Sequence, residues 1–374
     1  MVECLSWDRV VAWRARRHQL HERAPADAAL EVVGRITGLH AQLMSSAELA
    51  LWARVEGVAA DTVRRALWQD RTLVKLWAMR GTLHLLPAAD LPLWQAGLRT
   101  YRHYLRPVWF RHFGVTPDEL EQLVAAVADV LDGRELTREE LADEVAARTG
   151  SPALGEKLRE SWGALLKPVS FRGQLCFAPN RVRHVSFTRP ASWLPGLTEQ
   201  DPERALPEIA RRFLAAHGPA TREDLARWWA VSPAQAGRML AALGEEAVQV
   251  EVDGAPGWWV LVADLDELRH AEPVRSVRLL PAFDQYVVAA TKHAARLMPG
   301  DFTDRVYRAQ GWLSPVLLVD GWMAGVWSHE RRGDRVRVRL EPFGELPERV
   351  HRAAVAEAER LAAFLGGRLE LDEG

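Results

Sequence analysis

The sequence predicts an α+β chain: three successive units of helices closed by a short β-hairpin, then a β-rich C-terminal region. Three observations predict it. A hexapeptide recurs, with Thr137-Arg138-Glu139-Glu140-Leu141-Ala142 returning as Thr221-Arg222-Glu223-Asp224-Leu225-Ala226. Helical periodicity gives way three times to paired short strands around a tight turn. Beyond about Pro273 the helical pattern yields to short apolar strands.

The first unit reads as helices over 27–39, 47–54 and 62–69, with Asp27 a plausible cap. Strands over 73–78 and 82–86 flank Arg80-Gly81. In the second unit an amphipathic helix covers 117–131, Thr137 opens another helix, and a third covers 155–166. Each Thr of the repeated hexapeptide suits an N-cap, with the acid three positions on at N3. Val169-Ser170-Phe171 and Gln174-Leu175-Cys176-Phe177 are expected to pair around Arg172-Gly173. The third unit repeats the order: a helix over 202–216, one opened by Thr221 and one over 232–243, then strands over 248–252 and 258–262 around Asp253-Gly254-Ala255-Pro256-Gly257. Helix, helix, helix, hairpin is the order of a winged helix, and we expect three in tandem, near 27–90, 117–190 and 203–264. Domain boundaries are expected at 1–116, 117–200, 201–272 and 273–374. The last domain should hold strands over 274–280, 315–319, 323–328 and 335–341, a helix over 348–364 and a strand over 368–371.

The chain has 374 residues, 48% of them hydrophobic and 26% charged, enough for sizeable cores and against wholesale disorder. No apolar run approaches the ~20 residues of a membrane span, and residues 1–20 lack a signal-type apolar core. These features lead us to expect a cytoplasmic protein. Cys4 and Cys176 make neither a disulfide framework nor a zinc spacing. No cluster has metal-ligand spacing and no glycine-rich phosphate loop is present, so no metal and no cofactor are expected.

Net charge is −2, but its distribution is uneven. Residues 91–117 and 161–198 contain no Asp or Glu, while holding Arg99, Arg102, Arg106 and Arg111, and Lys167, Arg172, Arg181, Arg183 and Arg189. Such gaps suggest local positive fields of the kind phosphate binding needs. Solvated loops are the plain alternative. The run Tyr101-Arg102-His103-Tyr104 with Trp109-Phe110-Arg111 interleaves aromatic and basic groups, and core packing of its aromatics is favoured. Core packing is likewise expected for Trp228-Trp229 and Trp258-Trp259.

Three segments carry a family resemblance. They are Gly38-Leu39-His40-Ala41-Gln42, then Met79-Arg80-Gly81-Thr82-Leu83-His84-Leu85-Leu86, and Leu280-Pro281-Ala282-Phe283-Asp284-Gln285-Tyr286 followed by Pro315-Val316-Leu317-Leu318-Val319-Asp320-Gly321. In this order and spacing they resemble the bacterial winged-helix DNA glycosylases that remove alkylated or crosslinked bases. Some of those enzymes protect antibiotic producers from their own DNA-alkylating products. The resemblance implies three winged helices and a β-barrel-like domain around a DNA-sized concavity. It also implies a catalytic motif at residues 40–42, usually Gln-x-Gln or Gln-x-Asp. Here His40 stands at the first position and Gln42 matches the second.

Residues two apart diverge by about 200° on a helix but share a side in extended chain. A helix-ending segment after Gly38 would thus present both side chains together. Hydrolysis of an N-glycosidic bond builds positive charge on the sugar, and a base alkylated at a ring nitrogen leaves without a general acid. Neutral His40 would accept a proton from water, and Gln42 would orient that water or bind sugar or phosphate. With four lysines and none beside the motif, a Schiff-base route is disfavoured. The expected reaction is hydrolytic and monofunctional, on double-stranded DNA carrying an alkylated purine, by a monomer. Base excision repair and self-resistance would be its setting. Expected DNA contacts are Lys75, Arg80, Thr82 and His84 on the first hairpin. Lys167, Phe171, Arg172 and Gln174 are expected from the second, with Phe171 as an apolar wedge. Asp284 is read as structural. A non-catalytic winged-helix regulator or an adduct-sequestering protein is the alternative.

Overall fold

The computed structural model describes residues 3–373. It is a mixed α+β protein in two compact units, one formed by the chain up to Val63 and from Ala210 onward, the other by Arg64–Ile209.

In the first unit, the helix Trp7–Arg17 is capped by Ser6. The short helix Ala29–Arg35 follows a 3₁₀ turn at Ala26–Ala28. It ends where Thr37 and Gly38 take φ values of 64° and 95°. The amide of Gly38 donates to Val33 O at 2.8 Å, closing the helix as such a left-handed pair does. The chain then leaves as the strand Leu39–His40 and re-enters helix at Met44–Trp52. The Thr221 capping box is present with Asp224 at N3, opening Arg222–Trp229. The helix Pro233–Ala241 is capped by Ser232. The hairpin Ala247–Val252 with Ala255–Leu261 follows as expected, joined in parallel by Cys4–Leu5, a strand that the sequence pattern did not reveal.

The C-terminal strands form one five-stranded sheet. Its order is Val277–Leu280, Val316–Val319, Trp322–Arg332, Arg335–Pro342, Arg368–Glu373. The first four pair antiparallel and the last pairs parallel, after the helix Glu348–Phe364 crosses over. The first and last strands are edges, so the sheet is open. The barrel-like closure implied by the resemblance is absent among the described residues. A parallel last pair needs a crossover, and that helix supplies the cover that closure would otherwise give. The core beneath includes Leu279, Leu317, Val338 and Leu361, all fully buried, and reaches Val10, Trp13 and Trp52.

In the second unit, Leu73–Trp77 and Leu83–Pro87 pair antiparallel around Met79–Gly81, with Arg80 at φ 58° and Gly81 at φ 66°. Both capping boxes are in place, Thr116 with Glu119 for Pro117–Val130 and Thr137 with Glu140 for Arg138–Thr149. The expected hairpin at Arg172-Gly173 is not there. Leu166–Phe171 is a helix, and Gly173, at φ 75°, ends it. The hairpin lies one segment later, Cys176–Arg181 with His184–Thr188, turning at Val182-Arg183. The error has a physical reason. Val169 and Phe171 are both fully buried, so the apolar run fits a buried helix as well as a strand, and Arg-Gly serves a helix end as readily as a turn. The true turn places Val182 at φ 59° without a glycine to announce it. Helix 155–166 is likewise shorter than expected, running Pro152–Glu160.

Arg54 and Asp284 are each 0% exposed at the side chain and make a bidentate pair, both N–O distances 2.7 Å. Removing one partner strands the other charge in the core. Asp284→Ala should cost about 3–5 kcal/mol of stability, read by urea unfolding. A loss below about 1 kcal/mol would contradict that placement.

Candidate active site in the first unit

The strand Leu39–His40 carries the motif, and side chains of its own unit help to hold it. His40 is buried, 6% exposed, with its ring stacked on Phe283 at 4.9 Å and 13°. Gln42 is exposed, two residues further along and just before the helix Met44–Trp52. The extended backbone at residues 39–40 thus gives one motif residue a fixed apolar floor and the other access to solvent.

The segment 280–286 is the support for this strand. The indole of Trp327 donates to Leu280 O at 2.8 Å. Phe283, at φ 60°, lies under His40 and meets Trp312 edge-on at 5.0 Å. Asp284 pairs with Arg54 and also accepts from Tyr286 N, capping the helix Gln285–Ala289. Gln285 Nε2 donates to Gly38 O at 3.1 Å. Tyr286 O–H donates to Gly321 O at 2.7 Å. A Cβ on Gly321, at φ 89°, would lie 2.5 Å from a Val11 methyl carbon, so only glycine fits there. The two motifs far apart in sequence therefore meet in space. Asp284 is structural, as expected. Sequence reasoning missed Phe283 and Gln285 as supports, since neither has a pattern beyond the segment itself.

A second set of buried contacts approaches the strand from the other side of Gly38. Thr37 Oγ lies 3.1 Å from His217 Nε2, and His217 Nδ1 lies 3.3 Å from His18 Nε2. Burial first, then the positive charges of His217, Arg54 and Arg14, hold the His18 pKa well below the usual imidazole value.

The other expected site residues lie in the second unit, and the structure divides them. Lys75 is half-buried over the Phe177 ring at 5.1 Å, and burial lowers its pKa to about 8. Lys167 is half-buried, lowered for the same reason, and makes no ion pair among the described residues. Arg80 and Thr82 are partly exposed, Thr82 donating to Met79 O. Gln174 is partly exposed and donates weakly to Arg172 O. Three expectations are corrected. His84 is 0% exposed, with Nδ1 3.0 Å from Thr82 O, because its strand face turns into the core. Phe171 is 0% exposed at a helix end, packed against Tyr101, His103 and Tyr104, and is not a wedge. Arg172 is held bidentate by Glu121 and sits at a helix end, not a hairpin tip. Arg99, Arg181 and Arg189 also find acids, Glu199, Glu140 and Asp132, on neighbouring elements. The acid-free stretches are thus partly neutralised by partners distant in sequence. Tyr101, Tyr104, Trp228, Trp229 and Trp258 are core residues, as expected.

Comparisons with known proteins fix the class. The family model of DNA glycosylase AlkZ-like proteins matches residues 33–364, and the chain belongs to that family. It is a DNA glycosylase. It is 38% identical over 328 residues to the interstrand DNA cross-link repair glycosylase of Streptomyces sahachiroi, spanning 86% of this chain and 87% of the relative. Its fold matches the solved structure of the Streptomyces sahachiroi DNA glycosylase AlkZ with a TM-score of 0.89, at 36% identity and over 99% of each chain. No helix among the described residues is long and apolar enough to cross a membrane.

Two outcomes test the supports. Gln285→Leu removes the donor to Gly38 O and should lower kcat by about 10- to 100-fold with DNA affinity little changed, since small misplacements of a reacting group carry such costs. An unchanged kcat would remove Gln285 from the positioning set. His18 is neutral in the fold and protonates more readily unfolded, so its contribution is present above about pH 6.5 and is lost as pH falls below it. The thermal midpoint should fall from pH 7.5 to 5, with a shallower slope in His18→Gln. Equal slopes would overturn that assignment.

Proposed function

We propose that this DNA glycosylase is a monofunctional hydrolase of alkylated purine nucleotides in double-stranded DNA. Its substrates are bulky adducts of a DNA-alkylating natural product, and its role is base excision repair that gives self-resistance. The observation that carries this reading is His40, stacked on Phe283 at the end of one short strand, with solvent-facing Gln42 two residues beyond it. An alkylated purine is a cationic leaving group, so no general acid is required. What the sugar needs is a water delivered as positive charge develops. His40 works as the neutral imidazole that takes the proton of that water, because an imidazolium would repel the developing cation. Gln42 orients the water or holds the sugar or phosphate.

In this reading the enzyme is a cytoplasmic monomer that holds DNA through three tandem winged-helix units. Support comes from the order of elements. Helices Pro202–His217, Arg222–Trp229 and Pro233–Ala241 precede the hairpin Ala247–Val252 with Ala255–Leu261. The same order holds for Pro117–Val130, Arg138–Thr149 and Pro152–Glu160 before Cys176–Arg181 with His184–Thr188. Ala29–Arg35, Met44–Trp52 and Thr62–Trp68 precede the first hairpin. Lys75, Arg80, Thr82, Lys167 and Gln174 are the DNA contacts proposed.

Duplexes carrying defined bulky and methyl adducts test the reading, with free base measured by chromatography. His40→Ala and Gln42→Ala should each slow release by about 100-fold or more. His40→Gln should abolish the acid limb of the pH–rate profile while leaving measurable activity. Borohydride should trap no covalent enzyme–DNA complex. An unchanged rate in His40→Ala would sink the proposal.

A further inference from the structure

Trp162 stands apart among the sixteen tryptophans of this chain. It is 88% exposed, against 45% for Trp312, the other tryptophan that is substantially exposed among the described residues. It lies in the second unit, between the helices Pro152–Glu160 and Leu166–Phe171. Its φ is 51°, a left-handed backbone that a bulky side chain enters at a cost. Folding gains nothing from burying the ring and loses something to the backbone. Such a residue points to a surface that is covered only when a ligand arrives.

The surroundings indicate the chemistry of that ligand. Gly163 follows at φ 87°, and a Cβ there would meet the Trp77 ring at 3.0 Å and Arg138 Nη2 at 3.9 Å. The Arg138 side chain is therefore beside the tryptophan loop. It makes no ion pair among the described residues, and its buried Nε has no hydrogen-bond partner there. Arg159 holds Glu139 and Asp143 of the same helix and Glu156 of the next, whereas Glu160, two residues before Trp162, makes no ion pair among the described residues. Lys167, one helical turn beyond the loop, also makes no ion pair among the described residues. A projecting indole flanked by uncompensated cations suits a polyanion with flat apolar faces.

We infer that Trp162 is a stacking contact to the bases of the DNA substrate, with Arg138 and Lys167 on its phosphates. This rests on the duplex-DNA substrate proposed above, and adds Trp162 and Arg138 to the contacts proposed there. A neutral stacking group and a phosphate-binding cation leave different traces. Loss of the ring weakens binding without changing the salt dependence, whereas loss of a cation lowers the salt slope by about 1.

The test uses the full chain, a short fluorescein-labelled duplex read by anisotropy, and the same duplex treated with a nitrogen mustard for base release. Trp162→Gly should bind about 10-fold more weakly with the wild-type salt slope, and Trp162→Phe within about 2-fold of wild type. The thermal midpoint of Trp162→Gly should equal or exceed that of wild type, because glycine tolerates the left-handed backbone. Arg138→Gln should reduce the salt slope. Wild-type affinity in Trp162→Gly would overturn the inference, as would a loss that tracks a lowered midpoint. So would a wild-type dimer by sedimentation that Trp162→Gly dissolves. Absence of base release by the wild-type chain would refute the hydrolytic reading alone, since the binding comparison does not depend on turnover.

Discussion

A single buried ion pair underlies the arrangement of the motif. Arg54 lies just past the helix Met44–Trp52 that follows the motif strand, and Asp284 lies in the segment that enters the C-terminal region after the sheet's first strand. Neither charge touches water, so each is tolerable only while the other is in place. Their bidentate geometry fixes the two backbones in one register. With Asp284 fixed, its neighbours fall into position on either side. Phe283 comes under the His40 ring, and Gln285 reaches the carbonyl of Gly38. The motif residues are thus held by contacts from a segment more than two hundred residues away in sequence.

Local conformational cost recurs wherever this scaffold meets the motif. Thr37 and Phe283 both hold left-handed backbone, and both are tied by specific partners. Left alone, either residue would relax to an ordinary conformation. Phe283 is held by a large core that runs from Val10 and Trp13 to Leu317 and Leu361, and Thr37 by its contact with His217. Such rigidity suits a site that gains mainly by placing its groups.

Much of the fold was legible in the sequence where short-range chemistry decides it. The capping boxes at Thr137 and Thr221 are local hydrogen-bond patterns, and both formed as read. The helix end at Gly38 was legible for the same reason. The segment 165–177 was not. Its apolar run satisfies helix and strand periodicities alike, and only tertiary packing in the second unit, such as that of Phe171 on Tyr101 and Tyr104, selects the helix. Charge was misread in a related way. The runs without acids looked like positive fields, but Arg172, Arg181 and Arg189 meet Glu121, Glu140 and Asp132 across the fold. Linear spacing carries no information about such pairs.

By itself, then, the sequence determined the α+β order of elements, their caps, and the family to which the motif segments belong, because each rests on contacts within a few residues or on strings that recur intact. Tertiary structure alone decided which residues serve the motif and which only fill the core. Whether His84 faces solvent or the interior, whether Phe171 inserts or packs, and whether the C-terminal sheet closes or stays open depend on contacts between distant segments. So does the meeting of His40 with Phe283, since burial and ion pairing are properties of neighbours in space, and those neighbours are chosen only when the whole core assembles.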